Sequence, residues 1–393
     1  MESQRSNKVD NLIAALLALT PVLTQYYFSF AKGISLFDWA ILLALGISLL
    51  SKIGRINLKA DLLLLLFSGY TILHTLVISL FNNSSDISGE LHIGIYYLVI
   101  AIVVDNIEDK DRLGLYIRNI AIFSTVFLFV QVIVYRITGR YISGTISFLG
   151  HNEVVDLYSR SMNSYFQINM RPRSIFVEPS HYGVYVAIAL AMLLSKRQNK
   201  RSYIIEALLT MGLFASLSTT GIVLGAGIWI FYGLRNMSTH MPKRRFALTL
   251  FIGLIIIVCA VVYLNNSPWL QIVLQRTFGF GGNYKTSALG NRIGNIIPAI
   301  TQNRTVLMAI FGAGIPEINY FIPEFVKSYL TFGITGLILF IACIIHRYKN
   351  VNNAYLFVFI ALAIATIGAL WMSAFSVFYF ACLKVSQDAG NAE

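Results

Sequence analysis

The twenty residues LLLLLFSGYTILHTLVISLF, Leu62 to Phe81, contain no aspartate, glutamate, lysine or arginine. At about 1.5 Å of rise per residue, a helix of that length just covers a hydrocarbon core about 30 Å thick. Comparable apolar runs fall at about 11–30, 36–51, 91–104, 116–135, 180–195, 203–217, 220–234, 246–264, 329–346 and 354–374. The chain has 393 residues, 56% hydrophobic and 12% charged, and a mean hydropathy of +0.69. Soluble domains average about 25% charged residues, so the composition is far from that of a water-soluble fold. The pattern predicts an all-α integral membrane protein, one polytopic bundle over 1–393 of about eleven or twelve transmembrane helices. The last apolar stretch continues to Cys382, as one tilted helix with an interfacial tail or as two short spans, and the side of the C-terminus depends on which. Arg5 and Lys8 precede the first run in the manner of a signal peptide. The run is long and lacks a small-residue cleavage site, so it reads as a retained first helix.

Orientation follows from the short loops. Lys52, Arg55 and Lys59, then Lys110, Arg112 and Arg118, then Lys196, Arg197, Lys200 and Arg201, then Arg235, Lys243, Arg244 and Arg245, and finally Arg347 and Lys349 mark every second connection. The intervening short connections hold Lys32 and no other basic residue. The positive-inside rule places the basic set and the N-terminus in the cytoplasm. The formal net charge of +12 is therefore first a report of topology, and no nucleic-acid partner is implied. Cys259, Cys343 and Cys382 all lie in apolar runs, where a thiol is a small buried hydrophobe; no disulfide framework is expected.

Two long connections, 136–179 and 265–327, fall by parity on the outer face, where function is to be sought. The first carries five Arg or Lys against three acids, net +2, and the second five against two, net +3. Net-basic loops on the side where short-loop positive charge is depleted suggest an anionic ligand outside the membrane.

The first loop ends in Arg171-Pro-Arg173-Ser-Ile-Phe-Val-Glu178-Pro-Ser-His181-Tyr182-Gly183. Pro179 suits a first helical turn, so a helix is expected to begin near Glu178, with Glu178, His181 and Tyr182 on one face by i, i+3, i+4 spacing. Free N–H groups at a helix N-terminus and two planar guanidinium donors together form a phosphate cradle. The same residues would equally serve as headgroup-seeking arginines and a glutamate that caps the helix.

The arginine-rich Arg-x-x-Ser-x-Phe-x-Glu-Pro-Ser segment resembles the motif of bacterial O-antigen and capsule polymerases of the Wzy type. Further on, Asn291-Arg292, Phe311-Gly312-Ala-Gly314 and Gly333-Ile-Thr-Gly336-Leu resemble the second half of the wider O-antigen ligase and polymerase superfamily. The resemblance implies a GT-C-like membrane glycosyltransferase of the bacterial cytoplasmic (inner) membrane. Such an enzyme joins polyprenyl-diphosphate-linked repeat units of O-antigen, capsule or exopolysaccharide at the outer face. It further implies a lipid-linked glycan donor and acceptor, contact with membrane lipid, a chain-length regulator protein as a candidate partner, and no cofactor. Ligases of this type carry a histidine in the second long loop, and none occurs from Asn265 to Lys327. That favours a polymerase over a ligase; a lipid-linked oligosaccharide flippase or other transporter is the alternative from a different class.

On that reading Arg171, Arg173 and Arg292 bind the diphosphate. Glu178 or His181 is the base, since a histidine with its ordinary pKa of about 6.5 suits proton removal while Glu178 is the residue carried by the motif. The expectation is that Glu178→Gln costs more activity than His181→Ala. Tyr165, Phe166, Tyr182, Tyr284 and Tyr320 are candidate sugar contacts and equally ordinary packing aromatics. Asp109-Lys-Asp111 resembles a metal-holding Asp-x-Asp pair but reads better as a solvated acidic turn. His74 and Glu206 have packing or interfacial roles as their ordinary explanation, and His151, in the first long loop, simple exposure. No metal-ligand spacing or phosphate loop occurs, and metal-independent chemistry is expected.

Overall fold

The computed structural model describes residues 2–28, 34–51, 62–81, 87–146, 148–151, 171–196, 202–240, 290, 294–301, 305–315, 322–367 and 372–387. The described chain is largely helical: α1 (Glu2–Leu23), α2 (Leu36–Ser51), α3 (Leu62–Phe81), α4 (Ile87–Val99), α5 (Lys110–Thr138), α6 (Pro179–Ser195), α7 (Ser202–Ala215), α8 (Thr219–His240), α9 (Ile296–Thr301), α10 (Val306–Phe311), α11 (Glu324–Tyr348), α12 (Ala354–Ile367) and α13 (Phe375–Val385). A two-residue antiparallel pair, β1 (Tyr26–Tyr27) with β2 (Gly150–His151), ties the end of α1 to the segment after α5. Each apolar run read from the sequence falls on a helix except 246–264, which lies outside the described residues. The first helix stops at Leu23, short of the expected Phe30.

Among the described residues, four helices are long and apolar enough to cross a membrane: Leu62–Leu80, Ile87–Val104 (α4 and the π-helical turn that continues it), Lys110–Thr138 and Glu324–Tyr348. Shorter apolar helices stand among them. The outward faces fit this. Leu62, Leu66, Leu73, Leu76 and Leu80 are exposed along α3, and Ile334, Ile338, Ile341 and Ile345 along α11. An aliphatic stripe at i, i+3, i+4 spacing turned outward is what lipid accepts and water does not. The chain is thus consistent with a multi-pass membrane location.

Two helices form the centre. Every residue of α6 except Ser180 and His181 is buried, and every residue of α13 except Lys384. Around α6 stand α5, α7, α8, α12 and α13; around α13 stand α1, α4, α5 and α6. Lipid tails are as apolar as leucine, so such helices are held by close packing and interhelical hydrogen bonds. Tyr185 on α6 stacks on Phe378 of α13, ring centroids 4.2 Å apart, and its hydroxyl donates to the Ala18 carbonyl of α1 at 3.0 Å. Where α6 crosses α8, a Cβ on Gly183 would stand 2.8 Å from the Gly221 Cα, so two glycines permit the approach.

The last apolar stretch resolves into two helices, α12 and α13. At the end of the bundle that holds the α4–α5 turn, Arg347 pairs with Asp105, Lys196 with Asp111 at 3.0 Å and Arg112 with Asp109 at 2.9 Å. The Asp-x-Asp look-alike is spent there: Asp109 caps α5, accepting from the Arg112 N–H at 3.0 Å. Cys343 and Cys382 are free and buried.

Candidate functional site

The segment Arg171–Glu178 is fastened into the bundle by hydrogen bonds to α5 and to the end of α1. Gln131 of α5 accepts from the Ser174 N–H at 2.9 Å and donates to the Ile142 carbonyl at 2.9 Å. The Ser174 hydroxyl donates to the Ser124 carbonyl at 2.6 Å, and Gln25, just past α1, donates to the Ile175 carbonyl at 2.5 Å. Ser174 sits at φ 55°, a left-handed conformation uncommon for a side-chain-bearing residue and held only where surrounding contacts demand it. These bonds meet that demand.

Arg173 is buried completely. Its Nη1 donates to the carbonyls of Phe176 at 2.8 Å and Val177 at 3.4 Å, closing the loop on itself. Its charge reaches Tyr141 and Tyr26: burial pushes both phenols up, and the guanidinium partly opposes that rise. Arg171 is half-buried. Of the three arginines expected to hold diphosphate, Arg173 therefore faces inward, on backbone carbonyls.

The helix begins where the sequence places it. Glu178 is the N-cap residue in extended conformation and Pro179 occupies the first turn. The Glu178 carboxylate accepts from the Ser180 hydroxyl at 2.9 Å and not from a backbone N–H of the cap. His181 and Tyr182 do not share surroundings. Tyr182 is fully buried against Phe176, its hydroxyl 2.9 Å from the Thr125 hydroxyl. His181 lies 5.3 Å from the Phe375 ring, feels the Glu178 charge, and its Nδ1 has no hydrogen-bond partner.

His181 lines a cavity of about 330 Å³. The walls come from the C-terminal end of α1, the N-terminal parts of α2, α4 and α6, and the approach to α13. Across these elements Ser35 and Asp38 form a capping box at the start of α2: Ser35 donates from N and Oγ to Asp38 Oδ2 at 2.9 and 2.7 Å, and Asp38 N donates to Ser35 Oγ at 3.2 Å. Tyr96 donates to the other Asp38 oxygen at 3.2 Å, and His92, one turn earlier on α4, lies parallel to the Tyr96 ring. The sequence reading missed His92 and Tyr96. The signal it passed over was a histidine beside a glutamate at the start of an apolar run.

The glycine motifs of the second half meet in one place. Helix α11 breaks at Gly333 (φ 67°, ψ −171°), and Gly312 stands at φ 92°. A Cβ at Gly333 would lie 2.3 Å from the Ile310 carbonyl oxygen, and one at Gly312 2.0 Å from that of Thr331. The Ala313 and Gly314 N–H groups donate to the Leu330 and Thr331 carbonyls at 3.0 and 3.2 Å, so the broken turn is filled by the chain itself. Tyr70 binds the Phe311 and Phe332 carbonyls at 3.0 and 2.7 Å. Fully buried Glu90 accepts from the Ile315 N–H and stands 3.4 Å from His74 Nδ1. His74, suspected at membrane depth, thus has Glu90 as its partner. Glu206 is buried in α7, and His151 lies in β2.

Arg292, Tyr165, Phe166, Tyr284 and Tyr320 lie outside the described residues. The described site joins Glu178 and His181, places Tyr182 in the packing beneath them, and turns Arg173 inward. No protein-family model matches the chain, and no curated protein matches it.

Proposed function

We propose that this chain is a multi-pass membrane glycosyltransferase of the GT-C-like kind that polymerises polyprenyl-diphosphate-linked repeat units at the outer face of the bacterial cytoplasmic membrane. The observation that carries the reading is the start of α6, where His181 stands on a 330 Å³ cavity with Glu178 three residues before it. An imidazole on a cavity, acted on by a carboxylate and following an arginine-rich segment, is suited to take a proton from an acceptor hydroxyl.

In the reaction, the acceptor oxygen attacks the anomeric carbon of the donor glycan. The bond from that carbon to the diphosphate oxygen breaks, and polyprenyl diphosphate leaves with the bonding pair. The hydroxyl proton passes to His181, and the Glu178 charge stabilises the imidazolium that forms. Arg171 and Arg292 supply charge to the departing diphosphate. Arg173 acts by holding the loop that carries Arg171.

The break in α11 is the observation that favours a transporter, since discontinuous helices build substrate sites in many carriers. Here the freed carbonyls of Leu330 and Thr331 are already taken by Ala313 and Gly314, which weighs for the transferase. Purified protein incubated with lipid-linked repeat units should yield a ladder of longer lipid-linked glycans and free polyprenyl diphosphate. Passage of unlengthened lipid-linked glycan across a vesicle bilayer, with no ladder, would favour the transporter.

A further inference from the structure

The cavity beside His181 has a lining whose hydrogen-bonding polarity narrows its ligand. Three of its four described side-chain hydroxyls already donate to the protein, and the fourth, on Ser373, accepts from the Phe375 N–H at 3.3 Å. Tyr96 donates to Asp38, Ser35 donates to Asp38, and Thr24 donates to the Pro21 carbonyl at 2.8 Å. With their protons committed, these oxygens turn lone pairs toward a ligand and so accept from it. Among the described residues, no lysine, arginine, aspartate or glutamate lines the cavity, and the Asp38 carboxylate accepts from the Tyr96 hydroxyl behind the lining. A carboxylate or phosphate on the ligand would meet no lysine or arginine among the described lining residues, only the imidazoles of His92 and His181 and the Ser373 hydroxyl as side-chain donors, and a like charge nearby. A polyol supplies hydroxyl protons to those acceptors and carbon faces to the rings of Phe37, Tyr96 and Phe375. About 330 Å³ is at the small end of ligand pockets, about 300–1,000 Å³.

We infer that this cavity seats an uncharged sugar ring of the acceptor glycan, and that Thr24, His92 and Tyr96 determine which ring is accepted. The inference rests on the glycosyl-transfer reading for the presence of a sugar, and on the lining for its class. His92 is a positioning and specificity residue, distinct from the base at His181.

Saturation-transfer NMR on the purified full-length protein in detergent, with a methyl hexoside, a methyl N-acetylhexosaminide and a methyl hexuronide as probes, tests it. A neutral ring should receive saturation, the hexuronide about tenfold less. Thr24→Val and His92→Leu should each weaken neutral-ring binding about fivefold with melting temperature unchanged. If His92→Leu does not fold, His92→Gln takes its place. Equal saturation of the hexuronide, unchanged binding in the Thr24 and His92 variants, or no binding of any ring would overturn the inference, even if polymerisation proceeds. Selective neutral-ring binding without polymerisation would strike the transfer reading alone and leave the cavity assignment standing.

Discussion

Arg173 and Arg171 separate two roles that the sequence joins. Arg173 is fully enclosed and bonded to the Phe176 and Val177 carbonyls, so Arg173→Ala removes a packed side chain and leaves two carbonyls without a donor. A loss of about 2–4 kcal/mol is expected, read as a lowered melting temperature in detergent. Arg171→Lys should leave that temperature unchanged while lowering polymer formation, because the planar fork is lost and the charge kept. Equal melting of both variants would return Arg173 to the ligand. Residue chemistry was legible in the sequence as far as the helix start, since Pro179 in the first turn fixes it locally. Side-chain direction was not. His181 and Tyr182 are adjacent, about 100° apart around a helix, and only the neighbours decide that Tyr182 goes to Thr125 and His181 to a cavity. That placement also reverses the expected order of the two candidate bases. His181 lines the cavity, Glu178 does not, so His181→Ala should now cost more turnover than Glu178→Gln.

At the scale of elements, the break in α11 and the turn before it form one clamp. The Gly333 position, φ 67° with Ile310 backbone 2.3 Å from a would-be Cβ, admits no side chain. Gly333→Ala should therefore cost more than about 1–3 kcal/mol and reduce the monodisperse fraction on size exclusion. A fully folded, normally melting Gly333→Ala protein would show that the turn and the helix are not locked. The length of each apolar run located most helices, because polar residues separate one run from the next. It left 354–382 open between one helix and two, because α13 is buried at every residue but Lys384 and has no polar face to mark the division. The His74–Glu90 pair was equally hidden: the two residues lie in different helices, and only the packing of α3 on α4 brings them to 3.4 Å.

For the whole molecule, the account requires that the cavity end face outward and the ion-paired end face the cytoplasm. Single cysteines at Ser85 and His151 should react with an impermeant thiol reagent in cells whose outer leaflet is accessible, and cysteines at Lys200 and His240 should not; the opposite pattern reverses the topology. The claim that organises everything else is that His181, on the cavity at the head of α6, takes the acceptor proton. Its most direct measurement is the initial rate of glycan lengthening by purified His181→Ala protein, matched to wild type in melting temperature and supplied with lipid-linked repeat units. The account predicts a fall of about 10²-fold or more; a rate within about twofold of wild type, below what general-base catalysis contributes, would contradict it.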